Sequence, residues 1–152
     1  MNFKFSLQRI LNLREQETQE AELKVEKIRN VITELKKMVN HERDMYFHDR
    51  EELNKNVIET QMNNVTLYEQ SLQLRQERIM EILENIRTYQ LDLEVYQQAL
   101  IQSRRNQKIL ENLRDLKKKE FLEKEAAKEQ ALIDEISTQR FIRGQMTEKG
   151  DE

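Results

Sequence analysis

The sequence lacks the residues that break helices or build enclosed sites. It contains no proline, no tryptophan and no cysteine, and its two glycines are Gly144 and Gly150. Because proline and glycine are the residues that most disfavour a helix interior, nothing before about residue 143 is expected to interrupt a helix. The same absence excludes a glycine-rich phosphate-binding loop over that stretch. The lack of cysteine fits a reducing compartment without requiring one.

Aromatic residues and long apolar runs are also scarce. Aromatics make up 6% of the chain and charged residues 36%, and the mean hydropathy is −0.92. This composition is typical of long helices whose core is a narrow apolar stripe. No segment approaches the roughly 18 apolar residues of a membrane span, and the amino terminus has no apolar run typical of a signal peptide. We therefore expect a cytoplasmic protein with no direct membrane span, associated with a membrane at most peripherally.

The charges are mixed along the chain. There are 26 basic and 29 acidic residues, with a net charge of −3. Phosphate binding relies on a concentrated basic face, so nucleic acid is not an expected partner. The short basic clusters at residues 104–105 and 117–119 are, considered alone, typical of a solvated helix face.

Two heptad stripes account for most of the apolar residues, and both have the spacing of a coiled-coil seam. The first has steps of four and three and comprises Leu7, Leu11, Arg14, Thr18, Ala21, Val25, Ile28, Ile32, Leu35, Val39, Glu42, Tyr46, Asp49 and Leu53. The second has steps of three and four and comprises Leu72, Arg75, Ile79, Ile82, Ile86, Tyr89, Leu93, Tyr96, Leu100, Ser103, Gln107 and Leu110.

Folding the chain back at residues 61–64 brings the two stripes together as antiparallel helices. Apolar layers then face apolar layers; the seven expected pairs are Leu53 with Leu72, Tyr46 with Ile79, Val39 with Ile86, Ile32 with Leu93, Val25 with Leu100, Leu35 with Tyr89, and Ile28 with Tyr96. The three tyrosines on the stripes are therefore expected in the core. At the turn, Asn63 and Asn64 tolerate the left-handed conformation that a tight reversal often needs.

The polar interruptions of the stripes mostly meet each other in this register. Asp49 faces Arg75, and the other matched pairs are Thr18 with Gln107 and Ala21 with Ser103. A buried polar group needs a partner to offset its desolvation, so matched interruptions favour this register over one slipped by a heptad. Two interruptions have no match in their own layer: Glu42 faces Ile82, and Arg14 faces Leu110, although Arg14 can extend toward Glu111.

The expected fold is therefore all-α, a single long antiparallel two-helix coiled-coil hairpin whose second helix overhangs the first. The expected bounds are helix one at about 6–60, a turn at 61–64, helix two at about 65–143 and a disordered tail at 144–152. Because Leu7 pairs with residues near 117, the chain beyond about residue 120 has no partner within the hairpin. We expect a monomer, since a parallel homodimer would place Asp49 opposite Asp49 and Arg14 opposite Arg14.

No constellation in the sequence predicts catalysis, a cofactor or a metal site. His41 and His48 are seven residues apart, whereas a helical metal pair needs ligands at i and i+4. A two-helix rod cannot bring a serine, a histidine and an aspartate together in one catalytic site. It also has no cleft in which two carboxyl groups could have different pKa values. We therefore expect that the protein is not an enzyme. Tyr68 differs from the three tyrosines on the stripes: it lies opposite Asn56 near the turn, where we expect it to be available to a partner.

Both ends of the chain carry a recognisable residue pattern. At the opening it comprises Phe3, Phe5, Leu7, Leu11, Leu13, Arg14, Glu15, Glu17 and Ala21. At the close it comprises residues 108–113, Lys117, Lys118, Lys119, Phe121, Glu123 and residues 129–135. These two patterns resemble the ends of the flagellar FliJ family. Single motifs of this kind recur in unrelated coiled coils, so the resemblance rests on their combined order and spacing over nearly the whole chain.

The resemblance implies a stalk of the flagellar type III export apparatus. Members of the family are antiparallel coiled coils similar to the rotor stalk of rotary ATPases, and they bind the export ATPase ring, the cytoplasmic domain of the membrane export gate, and export chaperones. Carried onto this chain, the ATPase-binding residues would be Leu7, Leu11, Arg14, Lys117, Lys118, Phe121, Leu122, Ile133 and Ile136. The gate-binding residues would be Tyr68, Leu72, Arg75, Ile79 and Ile82.

Three alternatives remain open from the sequence. A virulence type III secretion stalk would share the fold. An export chaperone would wrap a secreted flagellar subunit without acting on an ATPase. A purely structural dimeric coiled coil is disfavoured by the matched interruptions.

Overall fold

Two long helices packed against each other make up the fold, as the two stripes predict. The computed structural model describes residues 2–58 and 62–150, and within these ranges helix α1 is Gln8–Ile58 and helix α2 is Met62–Gly150. No strand occurs in either range. The expected all-α helical hairpin is confirmed.

The helix ends differ from those expected from the sequence. Residue 61 of the expected turn lies outside the described residues, and 62–64 already belong to α2. With no proline or glycine nearby, nothing prevents this segment from being helical, and asparagine is well suited to a helix start. At the other end α2 continues through Gly144 to Gly150 instead of ending near 143. One glycine disfavours a helix by only about 1 kcal/mol relative to alanine, which does not stop it.

The chain divides into two compact units, Met1–Glu15 with Arg105–Glu152, and Gln16–Arg104. In the second unit, the buried core cluster consists of Ile32, Val39, Ile82 and Ile86, with Ile28, Leu35, Ile79 and Leu93 packed against it. Val25 and Leu100 are buried as well. These residues belong to the apolar layers, so in this unit both stripes face the seam as expected. The pairs Thr18 with Gln107 and Ala21 with Ser103 stay predictions.

The stripe tyrosines of this unit lie at the margin of the core. Tyr46 is half-buried and its hydroxyl accepts a hydrogen bond from Gln76 at 3.1 Å. Tyr96 is half-buried, with the ammonium of Lys24 6.0 Å from its ring centroid. Tyr89 is 37% exposed, so its expected place in the core is wrong. In a pair of helices there is no third helix or strand to cover an aromatic ring at the edge of the seam.

In the unit formed by Met1–Glu15 and Arg105–Glu152, the amino-terminal segment packs on α2. The amide of Gln8 donates to the carbonyl of Phe5 at 3.2 Å at the start of α1. The ring of Phe3 lies 5.6 Å from that of Phe121, and Leu11 is fully buried. The sequence predicted that packing within the hairpin would end near residue 120. The contact of Phe121 shows that it extends slightly further.

Every residue from 126 to 150 is exposed. We call these residues the exposed segment. Its large apolar side chains are Leu132, Ile133, Ile136, Phe141, Ile142 and Met146.

Candidate interaction surfaces

The seam of the Gln16–Arg104 unit contains a buried ionic network centred on Arg75. Its Nε donates to Asp49 Oδ2 at 2.7 Å, and its Nη1 donates to Glu42 Oε2 at 2.9 Å. The predicted pair of Asp49 with Arg75 is therefore confirmed. Glu42 was expected to face only Ile82, and that expectation is wrong, because Arg75 extends along the seam and reaches the second carboxylate.

Two further side chains complete the network. The hydroxyl of Ser71 donates to Asp49 Oδ2 at 2.8 Å, and Arg78 Nη1 donates to Glu42 Oε1 at 3.2 Å. Side-chain exposure is 10% for Glu42, 11% for Asp49 and 22% for Arg75. Among the described residues no buried side-chain nitrogen or oxygen lacks a hydrogen-bond partner. The charges in the seam are thus compensated, which makes their burial tolerable.

The network shifts the pKa values of its three central groups. Burial by itself would raise the pKa of Glu42, but hydrogen bonds from Arg78 and Arg75 outweigh it and hold that pKa below its usual value. For Asp49 burial is likewise outweighed, by hydrogen bonds from Arg75 and Ser71, and its pKa is also lowered. The hydrogen bond to Asp49 raises the pKa of Arg75. All three groups are therefore held in their charged forms.

The residues assigned to the ATPase fall into two groups. Leu7, Arg14 and Phe121 are half-buried, and Leu11 is fully buried, so these side chains are at most partly accessible to a partner. Leu11 cannot touch a partner while this packing is intact. The others are exposed on α2: Lys117, Lys118, Leu122, Ile133 and Ile136.

The residues assigned to the export gate lie mostly in the seam. Ile82 is 6% exposed, Arg75 belongs to the ionic network, and the remaining three, Tyr68, Leu72 and Ile79, are half-buried. Asn56, expected opposite Tyr68, has a side chain outside the described part of the chain. The exposed apolar side chains of this part of α2 are Leu67, Leu74 and Met80, with exposures of 65%, 65% and 68%.

Sequence reasoning missed these exposed residues although a signal was present. Leu67 and Leu74 are one heptad apart and lie off the apolar stripe that begins at Leu72. An apolar repeat outside the seam positions is not needed for pairing within the hairpin. It marks a surface that another molecule could cover.

Comparison with known proteins gives one family. A family model described as "Flagellar FliJ protein" matches residues 3–146, which is nearly the whole chain. No curated protein and no solved structure matches it.

The chain belongs to the flagellar FliJ family.

Membership of the FliJ family makes this a flagellar export-related protein, in a family of structural and escort proteins rather than enzymes. Within residues 2–58 and 62–150, no group of three or more histidine, aspartate or glutamate side chains could hold a metal ion. In the same ranges, no helix is long and apolar enough to cross a membrane.

Proposed function

We propose that this protein is a stalk of the flagellar type III export apparatus that binds the export ATPase ring through the exposed segment of α2. It further links the ring to the membrane export gate and to export chaperones. The observation that carries the proposal is the exposed segment itself, in which α2 stays helical while none of its side chains is buried. Helical structure without packing is marginal in water, so a helix of this kind is suited to completion by a partner.

The chemistry of the exposed segment supports a protein partner. Leu132 and Ile133 lie four and three residues before Ile136, so the three side chains share one face of the helix. Their exposures are 56%, 49% and 42%. A contiguous apolar face of this kind typically marks an interaction site. On the amino-terminal side, the exposed lysines 117–119 would steer this part of α2 toward an acidic lining.

The contact with the export gate is assigned to the start of α2, with a different set of side chains from the one the sequence suggested. Because Ile82 is buried and Arg75 is engaged with two carboxylates, neither is available to a partner. Leu67 and Leu74, together with the half-buried Tyr68, supply the accessible apolar surface instead.

The test is stimulation of the purified export ATPase by variants of this protein. Replacement of Leu132, Ile133 and Ile136 by serine should abolish stimulation, because it removes the apolar face without touching a buried residue. The matched control replaces Leu67, Leu74 and Met80 by serine, which removes a comparable exposed apolar area elsewhere on α2, and it should stimulate like the unaltered protein. Full stimulation by the Leu132, Ile133 and Ile136 variant would reject the exposed segment as the ATPase-binding surface. Absence of stimulation by the unaltered protein would favour an export chaperone, which has no effect on the ATPase.

A further inference from the structure

One edge of the Gln16–Arg104 unit carries a row of basic side chains at heptad spacing. Arg29, Lys36, Arg43 and Arg50 follow one another at intervals of seven residues, and all four are exposed. We call them the basic row. They occupy the positions next to the seam on α1, each one residue after a member of the stripe. In a coiled coil these flanking positions ordinarily carry the charges that select a partner.

The heptad positions of α2 that face the basic row across the same edge carry no carboxylate. Two contacts fix the alignment: Arg104 with Glu22 at 3.2 Å, and Gln76 with Tyr46 at 3.1 Å. Heptad steps from Arg104 to Gln76 pass through Gln97, Gln90 and Leu83. The basic row therefore faces amides and a leucine, where an antiparallel pair that balanced its own charges would place glutamates.

Three members of the basic row also lack an acidic side chain at helical spacing on α1, whereas Arg29 has Glu26 three residues before it. Lys36, Arg43 and Arg50 have no aspartate or glutamate three or four residues away in either direction. Other lysines of α1 have such partners: Lys37 pairs with Glu34 at 3.1 Å and Lys55 with Glu52 at 3.6 Å. Within the described part of the chain no ion pair involves any member of the basic row.

Exposed apolar side chains accompany these charges. Phe47 follows Arg43 by four residues and precedes Arg50 by three, so it shares their face, and it is 59% exposed. Across the edge, Leu83 is 37% exposed. The surface thus combines basic side chains that form no ion pair with exposed apolar side chains. A helix face that only contacts solvent does not require this combination.

We propose that the basic row, with Phe47 and Leu83, is a docking surface for an acidic amphipathic helix of a partner protein. The period decides for a helix, because seven residues of α1 advance about 10 Å, and a second helix with glutamates at heptad spacing repeats its charges at the same interval. In an extended strand, side chains on the same face repeat about every 7 Å, so their charges would not match the spacing of the basic row. Asp44 and Glu51, directly after Arg43 and Arg50, disfavour a polyanion that wraps α1. This surface is separate from the exposed segment, and the proposal does not depend on binding to the ATPase.

The test measures binding of a synthetic helical peptide of four heptads, about 28 residues, that carries glutamate and leucine at heptad spacing. The unaltered protein should bind it, and replacement of Lys36, Arg43 and Arg50 by glutamine should weaken binding about tenfold. The matched control replaces Lys27, Lys37 and Lys55 by glutamine, which removes the same charge from other exposed positions of α1, and it should bind within about twofold of the unaltered protein. Circular dichroism verifies that both variants remain helical.

Two further arms complete the experiment. Raising the salt concentration from about 0.05 to about 0.3 M should weaken peptide binding by the unaltered protein, since exposed charges are screened over this range. Anionic phosphatidylglycerol vesicles and a single-stranded oligonucleotide should show no dependence on the basic row. Equal peptide affinity for the two glutamine variants, absence of peptide binding, or row-dependent binding of vesicles or oligonucleotide would each overturn the proposal.

Discussion

At the scale of single residues, Arg75 determines how the two helices align. Its guanidinium bonds carboxylates two helical turns apart on α1, Glu42 and Asp49, which fixes the position of α2 along α1 as well as its distance. A planar group with several donors suits this role better than an ammonium, because it can serve two acceptors at once.

Substitution of Arg75 by methionine should destabilise the protein by about 3 kcal/mol, since it leaves buried Asp49 without an arginine partner and Glu42 with Arg78 alone. Combining it with Glu42→Gln and Asp49→Asn should recover most of the loss, because the uncompensated charges are then gone. Urea unfolding followed by circular dichroism at pH 7 measures both. Arg78→Met is the control, with an expected loss below about 1 kcal/mol because its side chain is 65% exposed. A loss for Arg78→Met as large as that for Arg75→Met would contradict the central place of Arg75.

Stability should also depend on pH through the same carboxyl groups. Folding lowers the pKa of both Glu42 and Asp49, so their contribution is present above the unfolded-state values of about 4.3 and 3.9 and is lost as pH falls through the folded values. The free energy of unfolding should therefore decrease below about pH 4, and less steeply in a Glu42→Gln, Asp49→Asn double variant. Urea titrations between about pH 6 and 3 give the two slopes, and identical slopes would contradict the role of the network.

The sequence predicted part of this network and missed the rest for a physical reason. Pairing residues layer by layer identifies Asp49 with Arg75, because they lie at the same height in the seam. The same procedure leaves Glu42 without a partner, since it treats each side chain as a point in its own layer. Arginine is long enough to lie along the seam and reach the next layer, and that reach is not visible in heptad spacing.

At the scale of elements, the burial of side chains on α2 changes along the helix. In the unit that contains its carboxyl-terminal part, half-buried positions recur up to Glu125, and none follows between residues 126 and 150. Beyond it, helical structure is supported by local contacts such as Gln130 with Asp134 at 3.0 Å and Lys128 with Glu125 at 3.6 Å. Pairs of this kind contribute only about 0.2 to 0.5 kcal/mol each.

Truncation after Glu125 should therefore leave the urea midpoint of the protein unchanged, because the removed residues bury no side chain. Truncation after Lys119 should lower the midpoint, since it also removes Phe121 and its contact with Phe3. In the full-length protein, backbone amides of residues 126–150 should exchange with solvent faster than those around Ile32 and Val39. A lower midpoint after truncation at Glu125, or strong amide protection beyond it, would show that the exposed segment packs within the protein.

At the scale of the whole molecule, the sequence predicted the fold, but it did not predict which candidate binding residues are accessible. Both heptad stripes and the absence of helix breakers specify two paired helices. The candidate binding residues were carried over from the family resemblance, and several of them lie on the apolar stripes, whose periodicity buries Leu11 and Ile82. Accessible candidates lie off the seam, as Leu67 and Leu74 do, or beyond its end, as Ile133 and Ile136 do.

The most direct test of the proposed stalk is photo-crosslinking between this protein and the purified export ATPase. A photoreactive side chain is placed at Ile136 in the exposed segment and, as a control, at Asn30, an exposed position on α1. The proposal predicts an adduct with the ATPase from position 136 and none from position 30, with competition by unlabelled protein. An adduct from position 30 with none from position 136 would contradict the assignment of the exposed segment to the ATPase.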